Sequence, residues 1–82
     1  MRYEIEFRSK ALHDIKRLSP EVSRRIEKKL AVLRQDMSGD GKRLVNFTPG
    51  WRLRVGDWRV LFEPQGEFLV VHRIVHRSEA YD

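Results

Sequence analysis

The chain has 82 residues, enough for a single small domain over 1–82 and too few for two. Its net charge is +5, with 12 arginines among 17 basic residues, a balance that points to nucleic acid or an acidic protein as partner. There is no cysteine, which excludes a disulfide framework or a thiolate metal site, and no apolar run approaches the ~18 residues that span a membrane. No signal-like segment precedes the first strand pattern, so the expected setting is cytoplasmic, with no membrane partner.

In residues 2–7 the side chains Tyr3, Ile5 and Phe7 alternate with Arg2, Glu4 and Glu6, the period of a half-buried strand. Ser9 is expected to cap a helix whose apolar positions are Ala11, Leu12, Ile15 and Leu18. Ser19-Pro20 then ends that helix and starts another, with Ser19 as cap and Pro20 at the first helical position. Val22, Ile26, Leu30 and Leu33 follow at helical spacing, and Arg24, Arg25, Lys28, Lys29 and Arg34 fill a solvated side. Ser38-Gly39-Asp40-Gly41 reads as a loop, and residues 42–50 as a connector along the sheet edge.

The most informative stretch is 51–62. With Gly56-Asp57 as a two-residue turn, Val55 pairs with Trp58, Arg54 with Arg59, Leu53 with Val60, Arg52 with Leu61 and Trp51 with Phe62. Alternation puts Trp51, Leu53, Val55, Trp58, Val60 and Phe62 on one side and Arg52, Arg54, Arg59 and Leu61 on the other. Like charges directly across a sheet repel, so a hairpin that sets Arg54 against Arg59 is suited to an anion. Glu63-Pro64-Gln65-Gly66 reads as a second turn, and 68–75 as a central strand buried on both faces over part of its length. Pairing Glu63 with Glu67 sends Phe68, Val70 and His72 to the apolar side, and Leu69, Val71 and Arg73 to the arginine side. The expected fold is α+β. An N-terminal strand and a two-helix hairpin precede a three-stranded antiparallel meander, with the helices on one sheet face and an open basic face on the other.

No phosphate-binding glycine loop appears, and His13, His72 and His76 have no ligand-like spacing, so neither a metal nor a small-molecule cofactor is expected. The arginine side, together with His76, Arg77 and Tyr81 near the end, suits metal-independent cleavage of RNA. Cations stabilise the charge that develops on the phosphate, but arginine, with a pKa above ~12, is a poor proton acceptor. Each residue has a plainer reading beside this one. Arg52, Arg54 and Arg59 can pair with Glu63, Glu67 or the tail, and Arg73 with Asp57. His72 fits the core, His76 can cap a strand end, and Tyr81 can anchor the tail.

Three segments carry a resemblance. Tyr3-Glu4-Ile5-Glu6-Phe7 with Ala11-Leu12 and Ile15-Lys16-Arg17-Leu18, the hairpin from Trp51 to Phe62, and Val75-His76-Arg77-Ser78-Glu79-Ala80-Tyr81 together resemble the RelE/ParE superfamily of bacterial toxins. The resemblance implies the toxin of a type II toxin–antitoxin system, partnered by a cognate antitoxin. RelE-like members cut mRNA in the ribosomal A site, and ParE-like members, the alternative, poison DNA gyrase without nuclease activity. By position, Arg52, Arg54 and Arg59 match the basic residues that hold the scissile phosphate. Arg77 and Tyr81 match the C-terminal pair that assists the leaving group and stacks on the nucleotide. His76 falls beside them as an acid–base candidate, and Arg73 and Arg77 are taken as substrate-binding. Arginine stands at positions 52 and 54 where some relatives carry lysine, which shifts the proton-transfer role toward His76.

Overall fold

The computed structural model describes residues 3–35, 41–43 (backbone only) and 50–79. Its elements are β1 (Glu4–Phe7), α1 (Ser9–Arg17), α2 (Pro20–Leu33), β2 (Gly41–Arg43), β3 (Trp51–Val55), β4 (Trp58–Gln65) and β5 (Phe68–His76), closed by a 3-10 turn at Arg77–Glu79. The five strands form one sheet in the order β1-β5-β4-β3-β2. β1 runs parallel to β5, with Ile5 beside Leu69 and Phe7 beside Val71, and the other pairings are antiparallel. The α+β reading holds, with two additions to the expected meander: β1 joins it on one edge and β2 on the other. The connector along the sheet edge becomes a strand at Gly41–Arg43, so Gly41 lies in a strand rather than in the expected loop. Residues 38–40 of that loop lie outside the described residues.

Ser19 caps α2, its hydroxyl accepting from the Val22 N–H at 3.3 Å, with Pro20 next in the helix. At α1 the capping position is Arg8 and no side chain caps the helix; Ser9 is its first residue. The reason is local: the Arg8 N–H still bonds to the Val71 carbonyl at 2.9 Å, so the strand ladder continues to the residue where the helix begins. Both helices lie on one sheet face. Ala11, Ile26, Leu30 and Leu33 pack with Leu53, Val55, Val60, Phe62, Leu69, Val71 and Ile74. Each fully buried aliphatic side chain here contributes about 1.5–3 kcal/mol. No helix among the described residues is long and apolar enough to cross a membrane.

The β3–β4 register is the expected one at all five pairs. The β4–β5 register is not. β4 runs on through Pro64 to Gln65, the turn is Gly66-Glu67, and Glu63 faces Val70 instead of Glu67. Pro64 is tolerated because β3 pairs with β4 only as far as Phe62, so Pro64 has a strand partner on one side only among the described residues. With this register Leu69 and Val71 enter the helix-side core and Phe68 and Val70 face the other way, the reverse of the expectation. A bulge then intervenes: Phe62 pairs with Val71 and Leu61 with Arg73, leaving His72 as the extra residue. The bulge restores parity, so Arg73 does lie beside Leu61 on the arginine side.

Candidate functional site

Gly56 has φ +60°, where a side chain is strained and glycine is not. The turn it makes holds Arg54 directly opposite Arg59, with Arg52 on the same side. This side is not open throughout, as the alternation suggested. Arg54 is exposed, but Arg52 is 3% and Arg59 2% accessible, and Val70, on the same side in β5, is buried. At Arg59 the guanidinium is held in place: its Nη1 donates to the carbonyls of Gly56 and Trp58, each at 2.9 Å. The guanidinium is folded back onto its own turn. Opposition of two arginines is therefore relieved by sending one outward and anchoring the other on backbone dipoles.

Arg73 does not pair with Asp57. Its Nε and Nη2 donate to Asp14 on α1 at 2.8 and 3.2 Å, a two-pronged contact. Asp14 Oδ2 also accepts the Ile74 N–H at 2.9 Å. β1 has left the sheet by this point, since its last pair is Phe7 with Val71. Asp14 thus occupies the edge of β5 that β1 vacates. Burial pushes its carboxyl pKa up, but the Arg73 and Ile74 hydrogen bonds and the charges of Arg73 and His13 outweigh this, and the pKa lies below 3.8. Asp57 instead meets Arg77: the Arg77 N–H donates to the Asp57 carbonyl at 2.7 Å, and its Nε is 3.7 Å from Asp57 Oδ1.

His76 pairs with Trp58, and the two rings meet edge to face at 5.4 Å. Trp58 belongs to the helix-side face, so His76 lies across the sheet from Arg52, Arg54 and Arg59. The expected constellation of hairpin arginines with His76 is thereby divided between the two faces. His76 Nδ1 accepts from the Ser78 N–H at 3.3 Å and lies 3.0 Å from the Ser78 hydroxyl, which puts the proton of the neutral ring on Nε2. His72 is not packed into the helix-side core. As the bulged residue it bonds through Nε2 to Glu63 Oε1 at 2.9 Å. Glu63 has a lowered pKa, held by the Gln65 hydrogen bond against burial and helped by His72. Tyr81 lies outside the described residues. Among the described residues no group of three or more His, Cys, Asp or Glu is arranged to hold a metal ion.

The sequence reading missed Asp14 and Arg17. Both sit on α1 in a pattern that reads as an ordinary solvated helix side. Together with Leu18, Trp58, Arg73, His76 and Glu79 they line a cleft at the end of β5.

Comparison with known proteins matches this frame. Residues 5–81 match the family of the ParE toxin of the parDE type II toxin–antitoxin system. Toxin RelE3 of Methanocaldococcus jannaschii is 32% identical over 47 residues, 57% of this chain; the alignment spans about half, 53%, of that curated relative. The toxin–antitoxin complex RelBE2 from Mycobacterium tuberculosis contains a chain of the same fold, with TM-score 0.78 at 21% identity, covering 94% of this chain and 100% of the other. The archaeal RelE–RelB complex from Pyrococcus horikoshii gives TM-score 0.79 at 19% identity, covering 98% and 100%. A hairpin that sets arginines opposite one another, two helices on the far face and a family match over nearly the whole length lead to one assignment: the chain belongs to the ParE toxin family of type II toxin–antitoxin systems, within the RelE/ParE superfamily.

Proposed function

We propose that this toxin is a ribosome-dependent, metal-independent endoribonuclease that cuts mRNA in the ribosomal A site, acts in the cytoplasm and is neutralised by a cognate antitoxin. The observation that carries the reading is the register of β3 and β4, which fixes Arg54 opposite Arg59 with Arg52 on the same side. Two of these cations are buried, and at Arg59 the turn carbonyls hold the guanidinium in place, so the group is preorganised beside Arg54. The task they suit is holding a phosphodiester. The 2′-oxygen attacks phosphorus, the bond to the 5′-oxygen breaks, and negative charge builds on the phosphoryl oxygens between these events. Preorganised guanidinium groups stabilise that charge. Exposed Arg54 meets the phosphate first, and Arg59 and Arg52 complete the cationic lining beneath it. Arg77, at the hairpin tip, holds a flanking phosphate, and Arg73, whose guanidinium reaches round the β5 edge to Asp14, binds substrate only from that edge. The proton of the 2′-hydroxyl and the proton for the 5′-oxygen are handled by Tyr81 or by ribosomal groups, because His76 faces the other side of the sheet. An antitoxin partner is supported by the structural relatives, which were solved as complexes with antitoxins.

The test is toeprinting on an mRNA under translation. The wild-type protein is expected to produce A-site cuts, and Arg54→Ala, which removes an exposed side chain, to lower their rate by about 100-fold or more. Wild-type protein that leaves the mRNA intact sinks this reading. A second reading, gyrase poisoning, is favoured by the ParE family match and by the separation of His76 from the arginines. It is recognised by inhibited supercoiling with no A-site cleavage.

A further inference from the structure

The cleft at the end of β5 has a cavity volume of about 230 Å³ and is lined in part by Arg17, Leu18, Trp58, Ile74, His76 and Glu79. That is smaller than the roughly 300–1,000 Å³ of sites for drug-sized ligands. We propose that it is a pocket for one unpaired nucleobase of the bound RNA. The inference rests on the nucleolytic reading, and deepens it by giving the substrate a second point of attachment on the helix side of the sheet.

Three features define the ligand class. The floor is apolar and aromatic: Leu18 and Ile74 flank the half-buried indole of Trp58, and an indole stacks on any base. The rim offers both kinds of hydrogen-bonding group. Arg17 closes α1 and Glu79 lies in the 3-10 turn; both are exposed, and neither makes a hydrogen bond or close ion pair among the described residues, although the charge of Glu79 reaches Arg73. Between them, His76 is fixed in orientation, with Nδ1 committed to Ser78 and its ring edge-on to Trp58, so the proton-bearing Nε2 is the donor left for a ligand. Donors beside an acceptor over an aromatic floor suit the edge and face of a base. Asp14 and Arg73 satisfy each other in the lining, so a bare phosphate would use Arg17 and leave Glu79 and the indole unused, whereas a base engages all three, and a wholly apolar ligand would leave the rim unsatisfied.

Location supplies the remaining argument. Trp58 directly precedes Arg59 in β4, and His76 directly precedes Arg77, whose backbone is bonded to the turn. A single strand crossing the hairpin tip can set a phosphate on Arg54 while a neighbouring base drops into the cleft. Trp58 then serves recognition besides packing on the core, and His76 serves it in place of the acid–base role that the sequence suggested.

The test uses the full chain carrying Trp51→Phe, so that Trp58 is the sole tryptophan. It is titrated with guanosine, adenosine, cytidine and uridine 5′-monophosphates and with ribose 5-phosphate, while indole fluorescence is followed. At least one nucleotide should quench saturably while ribose 5-phosphate does not, and Arg17→Ala or Glu79→Gln should each weaken that nucleotide about tenfold. The proposal fails if no nucleotide perturbs Trp58, if ribose 5-phosphate acts equally well, or if both variants bind as the parent does. No ribosome is present in the titration. Nucleotide binding without mRNA cleavage in toeprinting therefore overturns the nuclease reading alone, and cleavage without nucleotide binding overturns the pocket alone.

Discussion

β3 and β4 meet through Gly56-Asp57, and β4 and β5 through Gly66-Glu67, with φ of +60° and +59° at the two glycines. The turns are alike, yet the hairpins behave differently. In the first, alternation holds from the turn to Trp51 and Phe62, so every arginine sits where its sequence position puts it. In the second, a bulge at His72 reverses the parity of β5 partway along. The first hairpin is therefore a rigid frame for cations, and the second is a seam at which the strand is re-aimed. This seam puts Arg73 beside Leu61, with its guanidinium reaching round the β5 edge to Asp14, and His76 on the helix side.

The first hairpin can be broken from within. Arg54 and Arg59 are partners in the register but not in energetics. Arg59→Ala strips a donor from two turn carbonyls and empties a buried position, so a loss of about 2–3 kcal/mol is expected in urea unfolding. Arg54→Ala removes an exposed side chain and relieves a like-charge pair, so its change should stay within about 0.5 kcal/mol. Equal losses for the two would mean that the inward and outward arginines are not distinct. It follows that Arg54→Ala, not Arg59→Ala, is the cleaner probe of cleavage.

The seam has its own weak point in Asp14. Asp14→Asn loses the charged fork with Arg73 and weakens the acceptor for the Ile74 N–H, and should cost about 2 kcal/mol near neutral pH. Because the folded pKa lies below 3.8, the contribution is fully present above the unfolded value. It is lost as pH falls through the folded pKa. The stability gap between wild type and Asp14→Asn should therefore narrow below about pH 3.8, as measured by unfolding at a series of pH values. A gap that stays constant into acid would place the contribution elsewhere than in the ionised carboxylate.

The two turns can also be compared directly. An added Cβ at Gly66 meets nothing within 4 Å, whereas at Gly56 it comes within 3.2 Å of Arg25 Nη2 from α2. Gly66→Ala should cost about 1 kcal/mol from backbone strain alone. Gly56→Ala should cost slightly more, with a displaced Arg25, and the difference is readable in thermal unfolding.

These contrasts mark what was legible in the chain. Strands β1, β3, β4 and β5, both helices, the Ser19-Pro20 junction and the Arg54–Arg59 pairing are written in local periodicity and turn chemistry, and they were readable, whereas the short edge strand β2 was not. The register of β5 was not, because residues 68–71 form an unbroken apolar run, and a pattern without alternation does not fix which side faces the core. The Asp14–Arg73 contact joins residues 59 positions apart and follows from where β1 stops, which no local signal states. Burial of Arg52 and Arg59 was hidden for a related reason: alternation assigns a side of the sheet but says nothing of what lies against it. The shared side of Arg52, Arg54 and Arg59 was legible, and the place of His76 across the sheet from them was not.

Arg77 gives the smallest expected effect and the sharpest contrast with Arg73. Both are arginines near the end of the chain, and each faces one aspartate. Arg73 meets an aspartate whose side chain is 11% accessible, at 2.8 Å, whereas Arg77 and Asp57 are 62% and 67% accessible with 3.7 Å between the charged atoms. Solvent screens the second pair, and two side chains must be ordered to form it, so Arg77→Ala should change stability by less than about 0.5 kcal/mol. The backbone bond from Arg77 to Asp57 survives the substitution, so the 3-10 turn should persist. If Arg77 holds a flanking phosphate, mRNA cleavage should fall while unfolding is unchanged, a separation that the buried Arg59 cannot provide. A matching loss of stability and activity would assign Arg77 to the fold instead.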